Sequence, residues 1–221
     1  MFNDYSQTGE QEFIECFFQG YQGSYLDIGA FDGVKMSNTL RLSELGWNGT
    51  LLEASPVTFK KLQKNYQERN IKNCEIINKA LVPNYWCKDL NFYESYIIEK
   101  NGKDTIGLGT FSKEHLIKYP WINHVESIPV NYIKILDFFN LYGYEYNFIS
   151  IDVEELNFEL VLDIPWANFT KLKLICIEAD VESYRFHNFF EHFNFKFIAQ
   201  RGANIFYTKF PVVYSNSLNI E

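Results

Sequence analysis

Short apolar runs alternate with amphipathic stretches along most of the chain, the pattern of helices laid on a mainly parallel sheet. The runs predict strands at 24–28, 49–53, 74–80, 148–152, 172–178, 195–199 and 205–209. Five of them are short and apolar, as strands covered on both faces should be. Helical spacing or caps predict helices at 11–18, 39–45, 56–69, 133–141, 158–162 and 182–193. The helix from Pro56 has the clearest start, with Ser55 as N-cap and proline in the first helical position. Between 82 and 132 the pattern weakens: a polar, glycine-containing stretch at 100–109 precedes 113–121. Irregular stretches of this length tend to be lids or binding elements, so substrate contacts are expected there.

A chain of 221 residues with 47% hydrophobic and 18% aromatic side chains can bury a core large enough to offset its chain entropy. We therefore expect one domain, 1–221, with a lid or substrate-recognition insertion around 82–132. The net charge is −8 and the basic residues are dispersed, so no nucleic acid is expected as a partner. The acidic start lacks a basic-then-apolar leader, and no run offers the roughly 18 consecutive apolar residues of a membrane span. A soluble, cytoplasmic protein is the expectation. Cys16, Cys74, Cys87 and Cys176 lie far apart without a C-x-x-C pair, which argues that most are reduced core residues and against a zinc site or a disulfide framework.

The sharpest local signal is Tyr25-Leu26-Asp27-Ile28-Gly29-Ala30-Phe31-Asp32-Gly33, an acid at a strand end followed by glycines through a turn. Glycine permits positive φ and lets a ligand approach the backbone, so the stretch reads as a nucleotide-type cofactor site. A dinucleotide fingerprint wants a glycine where the backbone meets the pyrophosphate, and Phe31 stands there instead. A cofactor without phosphates at that point fits better, and S-adenosylmethionine is the common one. Its amino-acid part is zwitterionic: Asp27 can accept from the ammonium while turn N–H groups serve the carboxylate. Glu53, ending the second strand, stands where Rossmann-like folds place the acid that accepts from ribose hydroxyls. The same strand, turn and acid leave a nicotinamide-dependent oxidoreductase as a rival reading.

Ser6-Gln7 with Gly9-Glu10, the 25–33 stretch, Ser37-Asn38-Thr39, Gly46-Trp47-Asn48-Gly49, Leu52-Glu53 with Pro56, and Ile149-Ser150-Ile151-Asp152-Val153-Glu154 together resemble the FkbM family of S-adenosylmethionine-dependent methyltransferases. The resemblance runs from near the amino terminus to about Glu178. It implies an α/β class I methyltransferase fold, a Rossmann-like three-layer sandwich whose mostly parallel seven-stranded sheet has an antiparallel last strand. It also implies O-methylation, commonly of sugars or of hydroxyls on natural products. Carried over position by position, Asp27, Gly29 and Asp32 would line the methionine part, Glu53 the ribose, and Lys79 and Ala80 the adenine edge. Ser6, Gln7 and Asn38 would close the pocket. The family continues D-x-E-G-x-E where this chain has Asp152-Val153-Glu154-Glu155-Leu156-Asn157, losing the glycine and the last acid. That departure opens a further reading, a catalytically silent methyltransferase-like binding subunit.

Methyl transfer from a sulfonium needs a nucleophile held close and, for a hydroxyl, a group to take its proton. Asp152 and Glu154, at the carboxyl end of the fourth predicted strand beside the switch point, are the first candidates for base or acceptor anchor. Glu178 and Asp180 end the neighbouring strand on the same edge. Carboxylates there suit a hard divalent cation, but an acidic rim that hydrogen-bonds a polyol directly is the simpler reading, so no metal ligands are assigned. Of the four histidines only His115, in the irregular region, is placed to act as a base; His187 and His192 lie on an aromatic helical stretch. Arg185 and Arg201 suit an anionic acceptor group, and Tyr93, Tyr96, Tyr119 and Trp121 suit stacking on a sugar ring, with surface pairing and core packing as the ordinary alternatives.

Overall fold

The computed structural model describes residues 4–86, 91–99, 102–116, 118–179 and 183–211. In chain order these form α1 (Glu10–Phe18), β1 (Ser24–Ile28), α2 (Leu40–Glu44), β2 (Asn48–Leu52), α3 (Pro56–Glu68), β3 (Cys74–Ile77), β4 (Ala80–Val82), β5 (Phe92–Glu99) and β6 (Gly102–Thr110). There follow α4 (Lys113–Leu116), β7 (His124–Ile128), β8 (Tyr132–Lys134), α5 (Ile135–Tyr142), β9 (Phe148–Ile151), α6 (Asn157–Asp163), β10 (Leu174–Glu178), α7 (Ser183–Glu191), β11 (Lys196–Arg201) and β12 (Asn204–Thr208).

Seven strands make the central sheet in the order β11-β12-β10-β9-β1-β2-β3. The run from β10 to β3 is parallel, while β12 lies antiparallel to both β10 and β11. Alternation along each strand divides the core into two layers, because successive side chains of a strand point to opposite faces. Leu26 and Ile28 of β1, Ile149 and Ile151 of β9, and Ile175 and Ile177 of β10 pack under α5, α6 and α7. Tyr25, Phe148, Leu174 and Cys176 face the other way, onto α1, α2 and α3. A sheet buried on both faces needs the near-continuous apolar strands that the sequence shows.

The predicted central strands and their helices stand within a few residues of their expected places. Ser55 accepts from the N–H groups of Val57 and Thr58 at 3.2 and 3.3 Å, so the cap read from sequence is formed. One expectation needs correcting: the strand predicted at 74–80 ends at Ile77. Asn78 Nδ2 donates to the carbonyls of Glu53 and Ala54 at 2.8 and 3.0 Å, which turns the chain out of the sheet. Ala80–Val82 then pairs with β8 in a separate two-stranded sheet.

The 82–132 region holds a three-stranded antiparallel sheet, order β6-β5-β7, that the sequence pattern did not reveal. Gly102, Gly107 and Gly109 of β6 contribute no alternating side chains, which removes the period-2 signal. A Cβ at Gly109 would meet the Phe92 ring at 2.6 Å, so here glycine makes room for a cross-strand aromatic. Of the cysteines, Cys176 is buried, Cys74 half-buried and Cys16 exposed, and all three are free. Cys87, Asp180 and Glu182 lie outside the described residues. Among the described residues no helix is long and apolar enough to cross a membrane.

Candidate functional site

A cleft opens at the carboxyl ends of β1, β2 and β9, with Phe92 and 108–111 of the inserted sheet on its far wall. Of the residues singled out from sequence, Gln7, Asp27, Gly29, Asn38, Glu53, Lys79, Ala80, Asp152 and Glu154 line it; Ser6, Asp32 and His115 do not. Asp27, Glu53 and Asp152, far apart in the chain, meet here because three neighbouring parallel strands end on one edge.

The turn after β1 works differently from its sequence reading. The N–H groups of Gly29 and Ala30 both donate to Leu52 O, at 3.0 and 2.9 Å, and that of Phe31 donates to Glu53 Oε2 at 2.9 Å. These three amides bind the end of β2 and are not turned to a cofactor carboxylate, which corrects that expectation. Gly29, at φ 92°, is required by the chain itself: a Cβ would run into the carbonyl oxygen of Asp152. Gly33, at φ 71°, likewise makes room for Leu62 and Tyr66 of α3. Phe31 adopts a left-handed φ of 49°, the conformation glycine usually supplies. Met36 (58°) and Glu154 (61°) share that backbone region and also line the cleft. Such residues cost of order 1–3 kcal/mol each and persist only where the surroundings over-determine them.

Asp27 is buried, and its Oδ2 accepts from Thr39 Oγ1 at 2.5 Å. Burial pushes its carboxyl up to about 6, against the lowering effect of that hydroxyl. Asn38 donates through Nδ2 to Cys176 Sγ at 3.6 Å, while its Oδ1 is buried with no hydrogen-bond partner among the described residues. Asp32 turns into its own loop, where Oδ1 accepts from the N–H groups of Val34 and Lys35 at 2.8 Å each. Ser6 is engaged by Asp4 and by the N–H of Gln11 near the start of α1. Gln7 reaches across the cleft mouth to Met36 Sδ.

Glu53 accepts from Phe31 N, from Ser55 N at 2.8 Å and from Thr58 Oγ1 at 2.9 Å. Burial still pushes its carboxyl up to about 8, and the charge of Glu94 on the inserted sheet adds to the rise. A carboxyl held above its ordinary 4.5 gives the native state the tighter grip on the proton. Its contribution to stability is therefore complete below about 4.5 and is lost as pH rises through about 8. We expect the thermal midpoint of the cofactor-free protein to fall across that window, and Glu53→Gln to remove most of the fall. An unaltered slope in the variant, measured by circular dichroism, would contradict the assignment.

At the other end of the cleft, Asp152, Glu154 and Glu178 each offer a carboxylate oxygen, all within 4.8 Å of one another. Asp152 is exposed to water, so this spacing stands without requiring a cation. Glu154 Oε2 lies 3.0 Å from His115 Nε2, and Tyr119 Oη lies 3.5 Å from the same nitrogen. The hydrogen bond with Glu154 raises the His115 pKa above its ordinary 6.5, outweighing burial. Although His115 does not line the cleft, it is thus joined to a residue that does.

The two departures from the D-x-E-G-x-E pattern have structural partners. Asn157 Oδ1 accepts from Val153 N at 2.8 Å, and Nδ2 donates to Glu178 O at 3.0 Å, tying the ends of β9 and β10. Glu155 accepts from Thr110 Oγ1 and from the N–H groups of Phe111 and Ser112 at 3.1 and 3.0 Å. Sequence reasoning noticed these positions only as losses. It also missed Phe92, Leu108 and Phe111 as cleft residues, because nothing local in the sequence folds the inserted strands over β1.

No protein-family model and no curated protein matches the chain. Among solved structures it is similar to the delta-N METTL16 methyltransferase domain, with TM-score 0.50 and 11% identity over 91% of this chain and 82% of that one. It is also similar to a precorrin 8W decarboxylase of Methanobacterium thermoautotrophicum, with TM-score 0.48 and 13% identity over 93% and 92% of the two chains. A third is a precorrin-6y C5,15-methyltransferase from Geobacter metallireducens, with TM-score 0.47 and 12% identity over 89% and 86%. At such identity the likeness shows the fold alone. The chain has the class I methyltransferase fold, a Rossmann-like α/β sandwich, and the antiparallel β12 between β10 and β11 agrees with it.

Proposed function

We propose that the protein is an S-adenosylmethionine-dependent O-methyltransferase of the FkbM type, acting on a hydroxyl of a saccharide or glycosylated small molecule. The observation that carries this reading is the composition of one cleft. A buried acid at the end of β1, a second at the end of β2 and an unpartnered amide oxygen face the same space as the acidic end at Asp152 and Glu154. Asp27 and Asn38 Oδ1 offer acceptors for an ammonium, Glu53 for ribose hydroxyls, and Lys79 and Ala80 an edge for adenine. Gln7 covers the mouth; Ser6 and Asp32 support it by holding the segments on which Gln7 and Met36 sit. The bound cofactor would supply an electrophilic methyl group. Asp152 anchors the acceptor, and the Glu154–His115 pair receives the proton of its hydroxyl.

The silent-subunit reading loses its motive, since Glu155 and Asn157 are accounted for by structural hydrogen bonds while Asp152 and Glu154 remain in the cleft. The nicotinamide reading is weakened because three successive turn amides already serve Leu52 and Glu53, away from any pyrophosphate. A cytoplasmic location and a single domain whose 82–132 segment selects the acceptor belong to the same proposal. Isothermal titration should show S-adenosylhomocysteine binding, and labelled methyl groups should pass from S-adenosylmethionine into a carbohydrate extract. A well-folded protein that binds no S-adenosylhomocysteine would overturn the cofactor assignment; binding without transfer would restore the silent subunit.

A further inference from the structure

We propose that Glu155 is a positioning residue: its carboxylate clamps the junction of β6 and α4 and so holds the inserted sheet as the roof of the cleft. The inference rests, for its functional half, on reading that cleft as the cofactor site. Three donors from three successive residues, Thr110, Phe111 and Ser112, converge on this one side chain. Thr110 and Phe111 themselves line the cleft. On the body side, Glu155 sits in the short 3-10 turn Glu154–Leu156 that directly follows β9. Its neighbours Glu154 and Leu156 both line the cleft, so roof and floor are joined through a single turn. Phe111 carries the effect further, because its ring packs against Phe92 at 5.1 Å and Trp86 at 5.8 Å. A glycine at this position, as the family pattern has it, offers no side chain to make these bonds.

The arrangement of donors says what the clamp requires. Oε1 accepts both backbone N–H groups, and Oε2 accepts the Thr110 hydroxyl. A glutamine in the same rotamer keeps the first oxygen for both amides and presents an N–H to the threonine oxygen, which can accept. The clamp therefore depends on shape and acceptors, and a full negative charge is dispensable. That distinguishes Glu155 from its neighbour Glu154, whose charge the proposed chemistry uses.

The test compares the full chain with Glu155→Ala, Glu155→Gln and Thr110→Val, using amide hydrogen exchange without ligand and calorimetric titration with S-adenosylhomocysteine. Losing the clamp should speed exchange at Phe111 and Ser112 by about tenfold or more, with β1 and β9 amides unchanged. The dissociation constant for S-adenosylhomocysteine should rise by about tenfold in Glu155→Ala, and Glu155→Gln should restore both readouts to within about threefold of wild type. Thr110→Val removes one partner from the roof side and also the Oγ1 that accepts from Ser112 N at 2.9 Å, so its weaker version of the exchange phenotype is read at Phe111, whose N–H bonds to Glu155. Unchanged exchange in Glu155→Ala and Thr110→Val overturns the clamp. Faster exchange with unchanged affinity overturns its role at the cleft, and a Glu155→Gln variant as impaired as alanine overturns the charge-independent account. If wild type binds no S-adenosylhomocysteine, the cofactor reading fails instead, and exchange alone decides whether the clamp exists.

Discussion

Asp27→Ala is expected to abolish S-adenosylhomocysteine binding at practical concentrations while the chain stays folded. Asp27 is the penultimate residue of β1, beside the middle strand β9, with its side chain buried, and the partner seen for its carboxylate is one hydroxyl, that of Thr39. Hydrogen bonds to charged groups contribute about 1.5–3 kcal/mol net, which is roughly ten- to more than a hundredfold in affinity. Losing the anion from a buried site should place the effect at the upper end. Asp27→Asn separates charge from shape: it keeps a hydrogen bond to Thr39 and should lose nearly as much affinity with less change in stability. The sign of the pH effect follows from burial. With the carboxyl pushed up to about 6, the anion that attracts an ammonium is populated above that value, so affinity should weaken as pH drops through it. Titration calorimetry across this range is the measurement, and affinity that is unchanged in both variants contradicts the ammonium contact.

The second large effect is expected at Glu154. Glu154→Gln should lower turnover by about a hundredfold or more, the lower range for losing a positioned acid–base group, with little change in cofactor affinity. Glu154 lines the cleft and lies 3.0 Å from His115, so it is the member of the pair that an acceptor hydroxyl can meet. Its hydrogen bond is also the main cause of the raised His115 pKa. Removing the carboxylate should therefore move the His115 titration back down, which nuclear magnetic resonance of the imidazole can follow without any acceptor. Equal losses of turnover and cofactor binding would make Glu154 a cofactor ligand. A His115 titration that does not move would separate the two residues altogether.

Some of these positions are legible in the sequence and others are not. The strand-end acids Asp27 and Glu53 were legible because each closes a short apolar run, and hydrophobic patterning survives any detail of packing. The glycines of the turn were legible as residue types but not in their purpose. Gly29 and Gly33 leave room for Asp152 O, and for Leu62 and Tyr66, atoms that arrive from far along the chain. The strand ending at Ile77 instead of Ala80 depends on one side chain, Asn78, finding two carbonyls of the neighbouring strand's end.

By itself the sequence determined the alternation of strands and helices, the two-faced burial of the central sheet, and which edge carries the acids. Those properties follow from local periodicity and from the chemistry of single positions. Only the tertiary structure decided that His115 belongs with Glu154, that Glu155 and Asn157 are braces, that the turn amides serve β2, and that β5 and β6 wall the cleft. Each of these depends on donors and acceptors from distant segments meeting at hydrogen-bonding distance. No local pattern encodes such a meeting, because it is fixed by the packing of the whole sheet and its insertion.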